Sequence, residues 1–220
     1  AKKIKRQFSL NQKSLIIDIG SNDGILLKPC ANLGIRTLGI EPAENIARMA
    51  RKNGIETISE YFNLKFVIKI LKKYGPADVI TANNVFAHIN DIERVVKGVY
   101  ELLKPNGVFI IEVPYLVDFL EKNLFDTVYH EHLSYFALTP LRRYFAKFNM
   151  YVYDVERVST HGGSLRAYVT KDKKVLHTSN VHKLLAIEKR LTLDQLTTYQ
   201  SFANRIKKNK LDLMNLLTRL

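Results

Sequence analysis

LIIDIGSNDG, residues 15–24, takes an apolar β-forming run straight into a loop bounded by Gly20 and Gly24. Glycine at both ends lets the backbone turn sharply and approach a ligand closely, and the helix predicted to follow offers unpaired N–H groups at its start. Outward from this loop, short β-rich runs alternate with amphipathic stretches, the pattern of a parallel sheet with crossover helices. The predicted strands are 15–19, 36–40, 56–58, 78–81 and 108–113, with helices over 25–33, 43–52, 64–73 and 92–103. Two further strand-like runs, Tyr151–Val158 and Ser164–Thr170, are joined by Thr160, His161, Gly162 and Gly163, a composition suited to a hairpin turn. The expectation is an α/β fold of seven strands closing on an antiparallel pair.

The loop chemistry narrows the ligand. A dinucleotide fingerprint brings a pyrophosphate onto the helix through G-x-G-x-x-G, whereas Gly20 and Gly24 are spaced G-x-x-x-G, with Asp18, Asn22 and Asp23 beside them. Carboxylates here repel a diphosphate but suit the cationic sulfonium and amino groups of S-adenosylmethionine (SAM). The run RTLGIE ends at Glu41, where the second strand stops, and a carboxylate there can accept both ribose hydroxyls of a nucleoside. Alone, each half has an ordinary structural reading, a tight turn or a helix-start acid; on consecutive strand–helix units they point together to a SAM site. The stretch ADVITANNVFAHINDIE places Asn83, Asn84 and His88 after the fourth strand, the carboxyl end at which such sheets take ligands. An Asn turn and a surface histidine are the plainer alternatives.

The bulk properties bound what else the chain can do. Its 220 residues are 46% hydrophobic and 25% charged, a globular balance. Cys30 is the single cysteine, which excludes an internal disulfide and leaves a reducing, cytoplasmic setting as the expectation. No apolar run reaches the roughly 18 to 20 residues of a membrane span, and no secretory signal pattern precedes the first strand. The net charge of +13 raises the question of a polyanionic partner, but the basic residues are scattered and lack an aromatic stacking platform. Solvated basic faces are the expectation, with nucleic acid not the partner.

The densest titratable cluster is DTVYHEHLSYF at 126–136, with Tyr129, His130, Glu131 and His132 in a row. In an extended segment Tyr129 and Glu131 would face one way and His130 and His132 the other, although a loop need not alternate. Metal-ligand spacing is lacking, so no metal is assigned; proton transfer by histidine is the better functional reading.

The set DIGSNDG, NNVFAHINDI, YHEHLSYF and HGGSLR closely resembles the nucleotide-sugar C-methyltransferases, especially the C-3 methyltransferases of branched deoxysugar pathways, from about Leu15 to Thr170. The resemblance implies a class I methyltransferase, Rossmann-like sheet, SAM as donor, and a nucleotide-linked 4-keto-6-deoxyhexose as acceptor. On that basis Asp18, Gly20, Asn22, Asp23, Gly24, Glu41 and Asn83 hold the cofactor. His132 removes the C3 proton, Tyr129 and His88 bond near the developing enolate, and Glu131 orients or tunes the imidazole. His161, Gly162, Gly163 and Arg166 shape the sugar side, with a hairpin turn and a strand-end charge as equally good accounts of the last three.

Family members also carry an N-terminal zinc domain and a larger C-terminal α/β domain. Residues 1–172 therefore read as the SAM-binding domain and 173–220 as a helical extension beginning a truncated second domain. An O- or N-methyltransferase using the same loop, and a noncatalytic SAM- or RNA-binding module, are the competing functions. Oligomeric state is not legible.

Overall fold

The computed structural model describes residues 1–219. In chain order the elements are α1 (Lys2–Gln7), β1 (Leu15–Ile19), α2 (Lys28–Ala31), β2 (Arg36–Ile40), α3 (Glu44–Lys52) and β3 (Thr57–Ile58). These are followed by α4 (Leu64–Tyr74), β4 (Ala77–Asn83), α5 (Ile92–Leu102), β5 (Leu103–Pro114), α6 (Leu116–Glu121), α7 (Leu138–Ala146), β6 (Tyr151–Val158), β7 (Ser164–Thr170), α8 (Ser179–Arg190) and α9 (Leu196–Thr218). One sheet runs in the order β3-β2-β1-β4-β5-β7-β6. Its first five strands are parallel, and β7 is antiparallel to both β5 and β6.

Both faces of the sheet are covered, which is why β1 is buried throughout and apolar at every position but Asp18. The strand pleat divides it: Leu15, Ile17 and Ile19 join the core beneath α4, α5, α7 and α8, while Ile16 joins the one beneath α1, α2 and α3. Cys30 belongs to the second core, where burial pushes its thiol up from the ordinary range.

The predicted strands all form, with β4 and β5 extended at their ends. The helix expected over 25–33 is the main departure. It shortens to the single turn of α2, because Gly24 takes φ +84° and Ile25 points out at 75% exposure, so the chain leaves the loop as irregular turns. The helix expected to reach 103 stops at Leu102, where the chain passes into β5. Three helices, α1, α6 and α7, were not anticipated. The C-terminal helical stretch divides at Thr192, which takes φ +48°. Val181 and Leu184 of α8 are buried against the sheet core, whereas α9 buries no residue. Leu220 of that predicted stretch lies outside the described residues. Among the described residues, no helix is long and apolar enough to cross a membrane.

Candidate active site

Two cavities open side by side at the carboxyl ends of the parallel strands. The first, about 530 Å³, is lined by Asp18, Gly20, Ser21 and Asn22 after β1, by Glu41 and Pro42 after β2, and by Asn83, Asn84, Val85 and His88 after β4. The β1 loop lies tight against the β4 loop: a Cβ on Gly20, whose φ is +69°, would sit 2.4 Å from Cγ2 of Val85. Only glycine permits that approach. Glu41 ties the loop after β2 to the β1 loop, its carboxylate accepting from the backbone N–H of Asn22 at 3.1 Å and of Ala43 at 3.0 Å. Carboxylate oxygens hold further lone pairs for ribose hydroxyls.

Asp18 sits beneath this cavity, 4% exposed, and accepts from the Thr81 hydroxyl at 2.6 Å. Burial raises its pKa to about 7; the Thr81 bond opposes that shift and the nearby Glu41 charge adds to it. Ser21 also borders the cavity, but its hydroxyl is buried against Gly39 of β2, without a hydrogen-bond partner among the described residues. Carboxylates at two strand ends and a glycine cradle together fit the amino, ribose and sulfonium groups of SAM. Gly24 contributes differently, since its missing Cβ makes room for Ile55 of the core. Asp23 turns inward on its own loop, accepting from the Ile25 N–H at 3.2 Å.

The second cavity, about 380 Å³, shares Asn84 and His88 with the first. Its other walls are Tyr115, Phe119 and Leu124, the loop residues Asp126, Thr127, Tyr129 and His132, and His161 and Gly163 from the β6–β7 turn. Segments far apart in sequence meet here because β4, β5 and β7 are neighbours in the sheet.

The Tyr129–His132 segment is a tight turn rather than extended chain, its His132 N–H bonding to the Tyr129 carbonyl at 3.1 Å. Tyr129 and His132 therefore share a side, with the tyrosine hydroxyl 3.2 Å from Nε2 of His132. Nδ1 of His132 lies 2.8 Å from the Thr127 carbonyl. A carbonyl can only accept, so Nδ1 carries the proton in the neutral ring and Nε2 presents a basic lone pair. The same logic applies to His88, whose Nδ1 donates to the Glu131 carbonyl at 2.9 Å. The two imidazoles lie 4.9 Å apart, centroid to centroid.

Glu131 was expected to orient His132 through its carboxylate. It does not: that carboxylate is exposed, 3.9 Å from Nε2 of His130, and its backbone carbonyl serves His88. The orienting group for His132 is the Thr127 carbonyl, invisible to residue-type reasoning because every residue has one. His161 and Gly163 line the cavity; Gly162 lies beside them, its carbonyl bonded to Lys122. Gly163 takes φ +147°, and a Cβ there would lie 2.1 Å from Cγ of Asp118. Arg166 does not reach the cavity lining; it sits in β7 between Glu112 at 2.7 Å and Glu156 at 3.1 Å. Asn22, Asn84 and His161 all adopt left-handed backbone, which places three of these less common conformations around the two cavities.

Residues 1–155 match the family described as a methyltransferase domain, and residues 159–220 match the C-methyltransferase C-terminal domain. The chain belongs to the SAM-dependent methyltransferases. C-methyltransferase NovU of Streptomyces niveus is 36% identical over 200 residues, 90% of this chain and 47% of NovU. A ubiquinone biosynthesis O-methyltransferase of Rhodopseudomonas palustris is 30% identical over 117 residues, 48% of this chain and 45% of that protein. The chain thus spans about half the length of the curated relatives it matches. Among solved structures, magnesium protoporphyrin IX methyltransferase of Synechocystis with bound S-adenosylhomocysteine superposes with a TM-score of 0.58 at 14% identity, covering 77% of this chain and 80% of that one. That likeness establishes the class I methyltransferase fold, with its reversed final strand.

Proposed function

We propose that the protein methylates a carbon next to a ketone, on a nucleotide-linked 4-keto-6-deoxyhexose, with His132 as the base. The observation that carries the reading is the basic Nε2 of His132, held by the Thr127 carbonyl at 2.8 Å within a cavity that shares Asn84 and His88 with the proposed SAM groove. The match of residues 159–220 to a C-methyltransferase domain supports carbon as the acceptor atom.

A proton on carbon next to a carbonyl is weakly acidic, so its removal needs a positioned base and stabilisation of the enolate oxygen. Nε2 of His132 takes the proton, and the Thr127 carbonyl at 2.8 Å stabilises the resulting imidazolium through Nδ1–H. The Tyr129 hydroxyl, 3.2 Å from that nitrogen, is free to turn to the enolate oxygen once substrate displaces it. His88 presents Nε2 to the same cavity, as an acceptor when neutral and a donor when charged. Asp18 and Glu41 hold the cofactor, and SAM supplies the electrophilic methyl group that the carbon nucleophile takes. The cavity's own volume of about 380 Å³ accommodates a hexose ring, with His161 and Asp126 at its rim for hydroxyl recognition.

The test is exchange of the acceptor's C3 proton for solvent deuterium, together with methyl transfer, in wild type, His132→Ala and Tyr129→Phe. Loss of both in His132→Ala, with S-adenosylhomocysteine binding retained, is the expected result. Full turnover by His132→Ala refutes the assignment. Methyl transfer to a hydroxyl or amine with no exchange at carbon assigns the chain to O- or N-methylation instead.

A further inference from the structure

Glu188 on α8 is 3% exposed and makes no ion pair among the described residues. Its carboxylate is nevertheless fully engaged. It accepts from the Tyr115 hydroxyl at 3.0 Å, from the backbone N–H groups of Leu138 and Thr139, and from the Thr139 hydroxyl at 2.6 Å. Every partner is a donor, and two are free N–H groups of the first turn of α7, where the helix dipole favours a negative charge. A charge so deeply buried is tolerated only with this degree of satisfaction.

What those donors belong to gives the contact its consequence. α7 begins directly after the loop that carries Tyr129 and His132, so capping α7 pins the far end of that loop. Tyr115 is a second junction: its backbone N–H bonds to the Gly163 carbonyl at 3.1 Å, it bridges to Phe136, and it is one of the residues bordering the acceptor cavity. The near part of the loop is held separately, by the Leu133 N–H on the Ala87 carbonyl at 3.0 Å and by His88 on Glu131. One carboxylate from the C-terminal helical segment therefore joins the turn containing Gly163, the wall of the cavity and the end of the histidine loop.

We propose that Glu188 is a positioning residue for methyl transfer, holding the Tyr129–His132 loop and Tyr115 in register without touching substrate. It rests on His132 being the base. Misplacing a reacting group by about 1 Å costs on the order of 100-fold in rate, so a slackened anchor is read mainly in turnover. Because each carboxylate oxygen accepts from a backbone N–H, an amide would set its NH2 against one of them whichever way it turned, loosening the end of the loop while leaving the SAM groove as it is.

The experiment compares wild type with Glu188→Gln and Tyr115→Phe in the full chain. It measures kcat and KM on the ketosugar, the dissociation constant for S-adenosylhomocysteine, and the 15N imidazole signals of His132. Expected for Glu188→Gln is a fall in kcat of about tenfold or more, cofactor-product affinity within about threefold, and loss of the single Nδ1–H tautomer signature at His132. Tyr115→Phe, which keeps the α7 cap, falls between the two. A Glu188→Gln protein that melts at lower temperature but keeps kcat and the His132 signature overturns the proposal and leaves Glu188 a structural cap. If wild type itself does not methylate the ketosugar, the acceptor reading fails, and the His132 signature alone decides the positioning role.

Discussion

Replacing Asp18 by Asn should make the protein more stable at neutral pH and almost no more stable at pH 4. Asp18 titrates near 3.8 in a solvated chain and at about 7 in the fold, chiefly through burial. With the folded value raised, the native state holds a proton that the unfolded chain has released. Asp18 therefore costs nothing below the unfolded value, and stability is lost as pH climbs through the folded one. Three pKa units at about 1.36 kcal/mol each amount to a loss of about 4 kcal/mol between pH 4 and 7. Asparagine keeps an oxygen for the Thr81 hydroxyl, which donates to Asp18 at 2.6 Å, but carries no charge to desolvate. Urea denaturation at half-unit intervals from pH 4 to 8, wild type against Asp18→Asn, isolates the effect because other titrating groups cancel in the difference. The gap should widen steadily with pH towards about 4 kcal/mol. A gap independent of pH would refute the buried-carboxylate argument. The same carboxylate should lose its proton when a cationic amino group arrives, so calorimetry with S-adenosylhomocysteine at pH 7 in buffers of different ionisation enthalpy should register net proton release, and Asp18→Asn should abolish it.

Glu41→Ala should weaken S-adenosylhomocysteine binding by about 100-fold in calorimetry, since it removes the ribose acceptor and the tether to Asn22 at 3.1 Å; unchanged affinity would move the cofactor elsewhere. Arg166→Ala should destabilise the fold by about 3 kcal/mol, because Glu112, 5% exposed, loses the guanidinium 2.7 Å away. At a temperature where the variant is folded, its cofactor affinity and turnover should match wild type; a selective rise in acceptor KM would restore Arg166 to the sugar side of the site.

How much of this was legible in the sequence divides along one physical line, the range of the interaction. LIIDIGSNDG and RTLGIE each declare a strand meeting a turn, because an apolar run, a glycine and a terminal carboxylate act within a few residues of one another. The hairpin through Gly162 and Gly163 is local in the same sense, and it forms as read. The helix expected over 25–33 fails because its apolar spacing belongs to irregular turns: Leu27 and Cys30 are buried while Ile25 faces out. Periodicity alone does not separate those cases.

The sequence by itself thus determined the α/β class and, with the family resemblance, a sheet of seven strands closing on an antiparallel pair, and it singled out the polar residues at the ends of the first two strands. Only the tertiary structure decided which of the titratable residues meet. His88, His132 and His161 come from three separate segments and converge because β4, β5 and β7 lie side by side. Glu131 and Arg166 carry chemistry-bearing side chains yet turn to other partners, while the groups that hold the site are a backbone carbonyl at Thr127 and a carboxylate on α8, Glu188. Backbone donors and acceptors are common to all residues, and a side chain 50 positions distant from Leu138 leaves no trace in local pattern. Their roles arise only when packing brings them to the same place.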